Sequence, residues 1–230
     1  AEQNPDVVAE YLPVRHDPAA PTLTNEVTTI AAFDPDVFIS MTAGNPCLLA
    51  IQEVEASGLY DRLSAAFTPS VCKGIAAYMA PAGMAADGYW IVGGGAKDTT
   101  DSVKMTEPFI AFARDLITDA GEDAGISLTG EGVFRGYAFT EAFRIADALP
   151  GGMSRTNLML ALRNFKIYHP GLLDGLVTEL KGNADAYFVE GSEYSQFNAT
   201  DQTWVMVGDV VDANGGTPNC RWDKANGGCR

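Results

Sequence analysis

One stretch limits this chain more than any other: Ala31-Ala-Phe-Asp-Pro-Asp-Val-Phe-Ile-Ser-Met-Thr-Ala-Gly-Asn-Pro-Cys47. It reads as a helix end, an Asp34-Pro35 turn, a buried strand over 36–41 and a small-residue loop that opens a second helix. This is half of a βαβ crossover. In such units a ligand sits where strand C-termini meet helix N-termini. The loop 42–46 is therefore the first candidate site, and no nucleophile–base set, metal cluster or phosphate loop competes with it.

The same alternation continues along the chain. Val7–Val14 is an apolar run closed by Pro13 and reads as a strand. Thr24 is placed to cap a helix through Phe33, with Val27, Ile30 and Ala31 at helical spacing. Asp36–Met41 is a continuous apolar strand, as in a parallel sheet covered on both faces. The next helix takes Pro46 in its first turn, runs to Ser57 and ends at Gly58. Arg62–Phe67 reads as a third short strand, followed by the loop Thr68-Pro-Ser70 and a helix starting near Val71. Gly88–Gly94 adds another strand. Alternating strands and helices give an α/β class with right-handed crossovers and a parallel sheet.

The texture changes near residues 93–107, the candidate boundary. Pro108–Ala120 is an amphipathic helix with Phe109, Phe112, Leu116 and Ile117 on one side. Glu131–Leu149 is a long helix with apolar residues spread widely around it, stopped by Pro150-Gly-Gly. Ser154 caps a helix to Asn164. The remainder reads as strand and loop, with Tyr187–Glu190 and Thr203–Val211 the best strands.

Totals exclude several classes. The net charge is -15, from 30 acidic and 15 basic residues. Such a chain repels phosphate backbones and anionic lipid, so no nucleic-acid partner is expected. Hydrophobic content of 47% suits a packed core. No apolar run reaches the ~20 residues of a membrane span. The first residues lack a basic start or apolar block, so the expectation is a processed leader or sequence missing upstream.

Four cysteines, Cys47, Cys72, Cys220 and Cys229, allow three pairings that sequence alone does not separate. A bridge between Cys220 and Cys229 would staple a Gly/Asn-rich tail. Cys47 and Cys72 stand at similar points of two successive strand-to-helix junctions, so neighbouring loops can bring them together. No Cys-x-x-Cys or Cys/His spacing supports zinc. An exported protein with at least one disulfide is expected.

Other chemical signals are weak. Gly93-Gly-Gly-Ala-Lys97-Asp-Thr lacks the spacing of a phosphate cradle, and Asp98 would repel phosphate. Asp209-Val-Val-Asp212-Ala-Asn-Gly215 misses the calcium-loop ligand spacing. The pairs Asp34/Asp36, Glu53/Glu55 and Asp115/Asp119 read as turn chemistry and solvated helix faces. His16 and His169 are the two histidines, far apart in sequence. The aromatics Tyr89, Trp90, Phe134, Tyr137 and Phe143 read mostly as core. What remains is two small polar loops, each opening a helix: Thr42, Ala43, Gly44 and Asn45, and Thr68, Pro69 and Ser70. Their hydroxyls, amide and N–H groups suit a small polar or anionic ligand held without catalysis, cofactor or metal.

Several segments, taken in order, resemble a known family. Thr24–Ile39 is similar to a helix followed by a Pro-Asp-Val strand, and Leu48–Gly58-Leu59 to the next helix with its Ala-Ser-Gly-Leu end. Ala85-Ala-Asp-Gly-Tyr-Trp90 resembles a strand at a hinge. Phe109–Asp115, the Tyr/Ala-rich Gly132–Leu149 and Leu160–Phe165 follow in matching order. Together they resemble the C-terminal part of a type I periplasmic binding protein of the branched-chain amino acid (Leu/Ile/Val) class, the solute receptor of an ABC importer.

The resemblance implies two α/β lobes of parallel sheet flanked by helices, joined by a hinge, with the N-terminal portion missing. Residues 1–92 would be the latter half of lobe 2, and 93–165 a mostly helical return into lobe 1. Residues 166–230 would be closing strands and a disulfide-stapled tail. It implies a non-enzymatic, extracytoplasmic receptor in the periplasm or at the cell surface, whose partners are a small solute and a membrane permease. The solute would be an amino acid, an amide or a small carboxylate. Residues 42–45 fall where amino-acid receptors place an aromatic residue, and 68–70 where they place an acid for the ligand ammonium. Neither is present, which tilts the expectation toward a neutral or carboxylate solute. A ligand-sensing domain of the same fold and an α/β enzyme are the alternatives.

Overall fold

The computed structural model describes residues 5–182, 184–213, 216, 222, 223, 225, 228 and 229. The chain divides into two compact units, residues 1–92 with 196–205, and residues 93–195 with 206–230.

The first unit is built on a parallel ladder. Helix α1 (Thr24–Phe33) buries Val27 and stops at Asp34, which takes a left-handed backbone (φ 55°). Pro35 then disfavours further helix. Leu23, not Thr24, holds the cap position. Thr24 lies inside the first turn and its hydroxyl donates to Glu53 (2.9 Å). Strand β1 (Val37–Ile39) leads to α2 (Asn45–Ala56), then β2 (Ala65–Pro69) and β3 (Trp90–Gly93). β1 pairs with β2 and β2 with β3, both parallel, with Ile39 opposite Phe67 and Phe67 opposite Trp90. The sheet order is β1-β2-β3-β6-β7, with β6 at Gly191–Asn198 and β7 at Thr203–Met206.

One sheet face is packed. Phe38, Ala66 and Ile91 join Val27, Ala50, Ile51, Val54, Leu59 and Met79 in a single core. Each large aliphatic side chain buried there contributes about 1.5–3 kcal/mol. The other face is not covered among the described residues: Val37, Ile39 and Val92 are 44%, 63% and 45% exposed. The continuous apolar run of β1 had pointed to two covered faces; only the even-numbered residue, Phe38, is buried.

Other expectations shift. Residues 7–14 form no strand; Val7 and Tyr11 are exposed, and Pro5 and Pro13 withhold ladder donors. The helix expected from Val71 is broken into a 3-10 turn (Ser70–Cys72), a π turn (Ile75–Met79) and the single α turn α3 (Ala80–Ala82). Gly74, Pro81 and Gly83 interrupt it.

The second unit holds α4 (Pro108–Asp119), α5 (Ser127–Ala148) and α6 (Arg155–Arg163). On α4 the buried residues are Ile110, Ala113 and Ile117, whereas Phe112 and Leu116 are exposed. α5 starts four residues before the expected Glu131 and buries only part of its apolar surface: Phe134, Ala142 and Ala146 are inside and Phe143 is exposed. Ser154 caps α6, accepting the Asn157 N–H at 3.1 Å. Short ladders follow: β4 (Lys166–Ile167) with β5 (Thr178–Glu179), and β6 with β8 (Val211–Asp212). The strand expected at 187–190 begins instead at Gly191, and the one expected at 203–211 is split into β7 and β8. A last hairpin pairs β9 (Trp222–Asp223) with β10 (Gly228–Cys229). Cys220 and the side chain of Cys229, with the bridge expected between them, lie outside the described residues. No described helix is long and apolar enough to cross a membrane.

Candidate functional site

The two polar loops both leave the C-terminal ends of β1 and β2, in the first unit. Gly44 takes φ 65°, ψ -142°, a conformation that favours glycine, and so turns the chain into α2. Pro46 follows in the first helical turn. No side chain caps α2; Pro46 has no N–H and the Cys47 N–H donates to Gly44 O (2.9 Å), so the Asn45 N–H is the first-turn donor left to the loop. The second loop continues from Pro69, the last residue of β2, into Ser70–Cys72.

A disulfide between Cys47 and Cys72 ties the loops together, with Cα atoms 5.6 Å apart. Both cysteines are fully buried. Beside the bridge lie two buried hydroxyls. Ser40 Oγ is 2.7 Å from Thr42 Oγ1, and Thr42 Oγ1 is 3.5 Å from Cys72 Sγ. A disulfide sulfur carries no hydrogen, so across that contact only Thr42 can donate, while between Ser40 and Thr42 either hydroxyl can. The Thr42 hydroxyl is thereby engaged within the protein.

Thr68 differs. It is 3% exposed, it faces the packed side of the sheet, and its Oγ1 has no hydrogen-bond partner. Tyr89 Oη is also buried and unpartnered, but Tyr89 lies within the core, stacked on Tyr60 at 5.2 Å. Burial raises the Tyr89 pKa strongly, so the ring stays neutral. Thr68 alone of these two is in a parallel strand: with Pro69 it forms the last two residues of β2, where a strand ending at Phe67 and a loop over 68–70 had been expected. Ala43, Gly44, Asn45 and Ser70 are exposed and Pro69 is half-buried. Residues 40–47 and 68–72 contain no charged side chain. The positive end of α2 is the local field, and it favours an anionic or neutral group over an ammonium.

The other sequence candidates are occupied by structural duties. The Gly95 N–H donates to Glu193 (2.6 Å) and Lys97 pairs with Glu107 (2.6 Å), so the glycine-rich segment is held by carboxylates. Asp212 accepts the Val177 N–H at 2.6 Å. Among the described residues no group of three His, Cys, Asp or Glu side chains could hold a metal ion. Two features escaped the sequence reading. Ser40 shares a face with Phe38 and Thr42, a period-two signal that was there to find. His169 is buried beside Phe109, Phe134 and Tyr137, with ring centroids 5.2–6.3 Å away. Its Nε2 donates to Phe134 O (2.9 Å) and its Nδ1 accepts the Gly171 N–H (3.2 Å), a neutral tautomer, and burial lowers its pKa.

No protein-family model matches the sequence, and no curated protein matches it. Solved structures do match the fold. A branched chain amino acid ABC transporter protein from Thermus thermophilus with bound valine aligns at TM-score 0.66 and 14% identity, over 83% of this chain and 49% of that one. A solute binding protein of an ABC transporter from R. palustris, in complex with 4-hydroxybenzoate, aligns at 0.62 and 14% identity, over 86% and 51%. The leucine-, isoleucine-, valine-, threonine-, and alanine-binding protein from Brucella ovis aligns at 0.60 and 15% identity, over 95% and 54%. The chain has the fold of part of a type I periplasmic binding protein, and it spans about half the length of these structures.

Proposed function

We propose that the chain is part of a non-catalytic solute receptor for an ABC importer, and that the loops 42–45 and 68–70 contribute to its solute site. The observation that carries this reading is the Thr68 hydroxyl, buried and unpartnered where β2 ends. A buried hydroxyl without a partner costs about 1–3 kcal/mol, and a bound solute would satisfy it. The Ser70 hydroxyl and the side-chain amide and backbone N–H of Asn45 would supply further donors.

The solute class follows from charge. With no carboxylate in either loop, an ammonium would lack a counter-charge there, whereas a carboxylate or neutral polar group would meet the Asn45 N–H and the positive end of α2. A small carboxylate or amide is favoured over an α-amino acid. The neighbours that carry valine and 4-hydroxybenzoate support the solute-binding role for both classes. In this reading residues 1–92 belong to one lobe, 93–165 return to the other, and 166–230 close the fold. The Cys47–Cys72 bridge supports an extracytoplasmic compartment, and a membrane permease is the partner.

Isothermal titration of the natural protein with benzoate, 4-hydroxybenzoate, acetamide and valine tests the reading. Saturable binding of a carboxylate or amide, weakened about tenfold in Thr68→Val by loss of one buried hydrogen bond, is expected. Binding of valine alone overturns the solute class. Binding unaffected by both Thr68→Val and Asn45→Ala overturns the site.

A further inference from the structure

We propose that the Cys47–Cys72 bridge, with the Ser40–Thr42 hydroxyl pair beside it, positions the two loops of the site. The inference rests on the solute-site reading above for its functional meaning, but its geometry stands independently.

The bridge joins the first turn of α2 to the 3-10 turn after β2, across 25 residues of sequence. The bridge is the covalent clamp between the loops; the second loop is also held to β7, where the Trp204 indole N–H donates to Lys73 O (2.9 Å). α2 has no side-chain cap, Gly44 sits in a conformation that offers no side-chain contact, and Ser70 is exposed. The buried bridge holds the start of α2 against the turn that follows β2.

The hydroxyl pair adds to the brace. Ser40 Oγ and Thr42 Oγ1 are 2.7 Å apart, and Thr42 Oγ1 is 3.5 Å from Cys72 Sγ, which as a disulfide sulfur only accepts. The Thr42 hydroxyl is engaged by these neighbours, whereas the Thr68 hydroxyl, near the end of β2, has no partner. Because both sulfurs are fully buried, the bridge acts as a permanent brace and not as a switch.

The test is amide hydrogen exchange on the natural full chain, without solute, comparing wild type, Cys47→Ala/Cys72→Ala, and Thr42→Val with the bridge intact. Amides of 42–47 and 70–74 are expected to exchange at least about tenfold faster in the double variant, as a cross-link's loss loosens a local opening. The β2–β3 ladder amides keep their protection, which shows that the variant is folded. Thr42→Val is expected to loosen the same loops less. Unchanged loop protection in the double variant overturns the proposal, as does equal loosening throughout the sheet, which would make the bridge a general staple. Titration of the same proteins with 4-hydroxybenzoate separates the two readings. Loose loops with no binding even in wild type would remove the solute reading and leave the positioning role intact.

Discussion

The most discriminating perturbation is Thr68→Val, because it should move stability and binding in opposite directions. Valine has the same shape as threonine but replaces a hydroxyl with a methyl. At Thr68 the hydroxyl is buried and unpartnered, so its removal relieves a desolvation cost of about 1–3 kcal/mol. The added methyl gains about 0.8 kcal/mol of burial, and valine also suits a strand. Even with about 1 kcal/mol of repacking loss, the solute-free protein should become about 2 kcal/mol more stable, a shift of about 4–8 °C for a chain of this size. Solute binding should weaken about tenfold in the same variant, since the solute's acceptor is then left unpaired. Urea denaturation without solute and calorimetric titration with it give the two numbers. Thr42→Val is the internal control. The same chemical change there leaves the buried Ser40 hydroxyl without its partner and should destabilise the protein by about 1–3 kcal/mol. A loss of stability in Thr68→Val as large as in Thr42→Val would show that the Thr68 hydroxyl has a partner in the solute-free protein, and the reasoning would fail.

Three further outcomes follow from the structure. His169 is held neutral by burial, with a folded pKa below its ordinary value. The unfolded chain therefore takes up a proton first, and the stabilisation is full above about pH 6.5 and falls as pH drops below it. Acid titration followed by near-UV circular dichroism should show this loss, with the slope flattened in His169→Gln. Gly93→Ala would place a Cβ 2.0 Å from Glu193 Oε1, and the displaced buried carboxylate should cost about 1–3 kcal/mol or more in urea denaturation. Ser154→Ala removes the cap of α6 and should cost about 1 kcal/mol by the same assay.

The ladder of β1, β2 and β3 was readable because short apolar runs, Pro35 and Gly58 punctuate it, and because helical spacing separates it from α1 and α2. The burial of only one face was not, since Val37-Phe38-Ile39 is apolar at every position and alternation carries no information there. The segment after Val71 misled for another reason. Its alanine-rich composition favours helix, but Gly74, Pro81 and Gly83 impose 3-10 and π geometry that propensity does not register. Around the candidate site, the turn into α2 was legible from its small residues and Pro46, whereas Thr68 and Pro69, expected in a loop, lie in β2. The division of labour between the hydroxyls was not legible. Thr42 is engaged by Ser40 and lies 3.5 Å from the sulfur of Cys72, thirty residues away in the chain, while Thr68 has no partner, and neither fact is written in the local sequence.

The central claim is that the ends of β1 and β2 bind a small solute. The most direct measurement is native mass spectrometry of the protein purified from its source, before and after mild denaturation, with the released molecule identified by its fragments. A single small carboxylate or amide bound one to one, and lost from Thr68→Val, is the expected result. A protein that carries no small molecule, and that takes up neither a carboxylate nor an amide when these are added back, would contradict it.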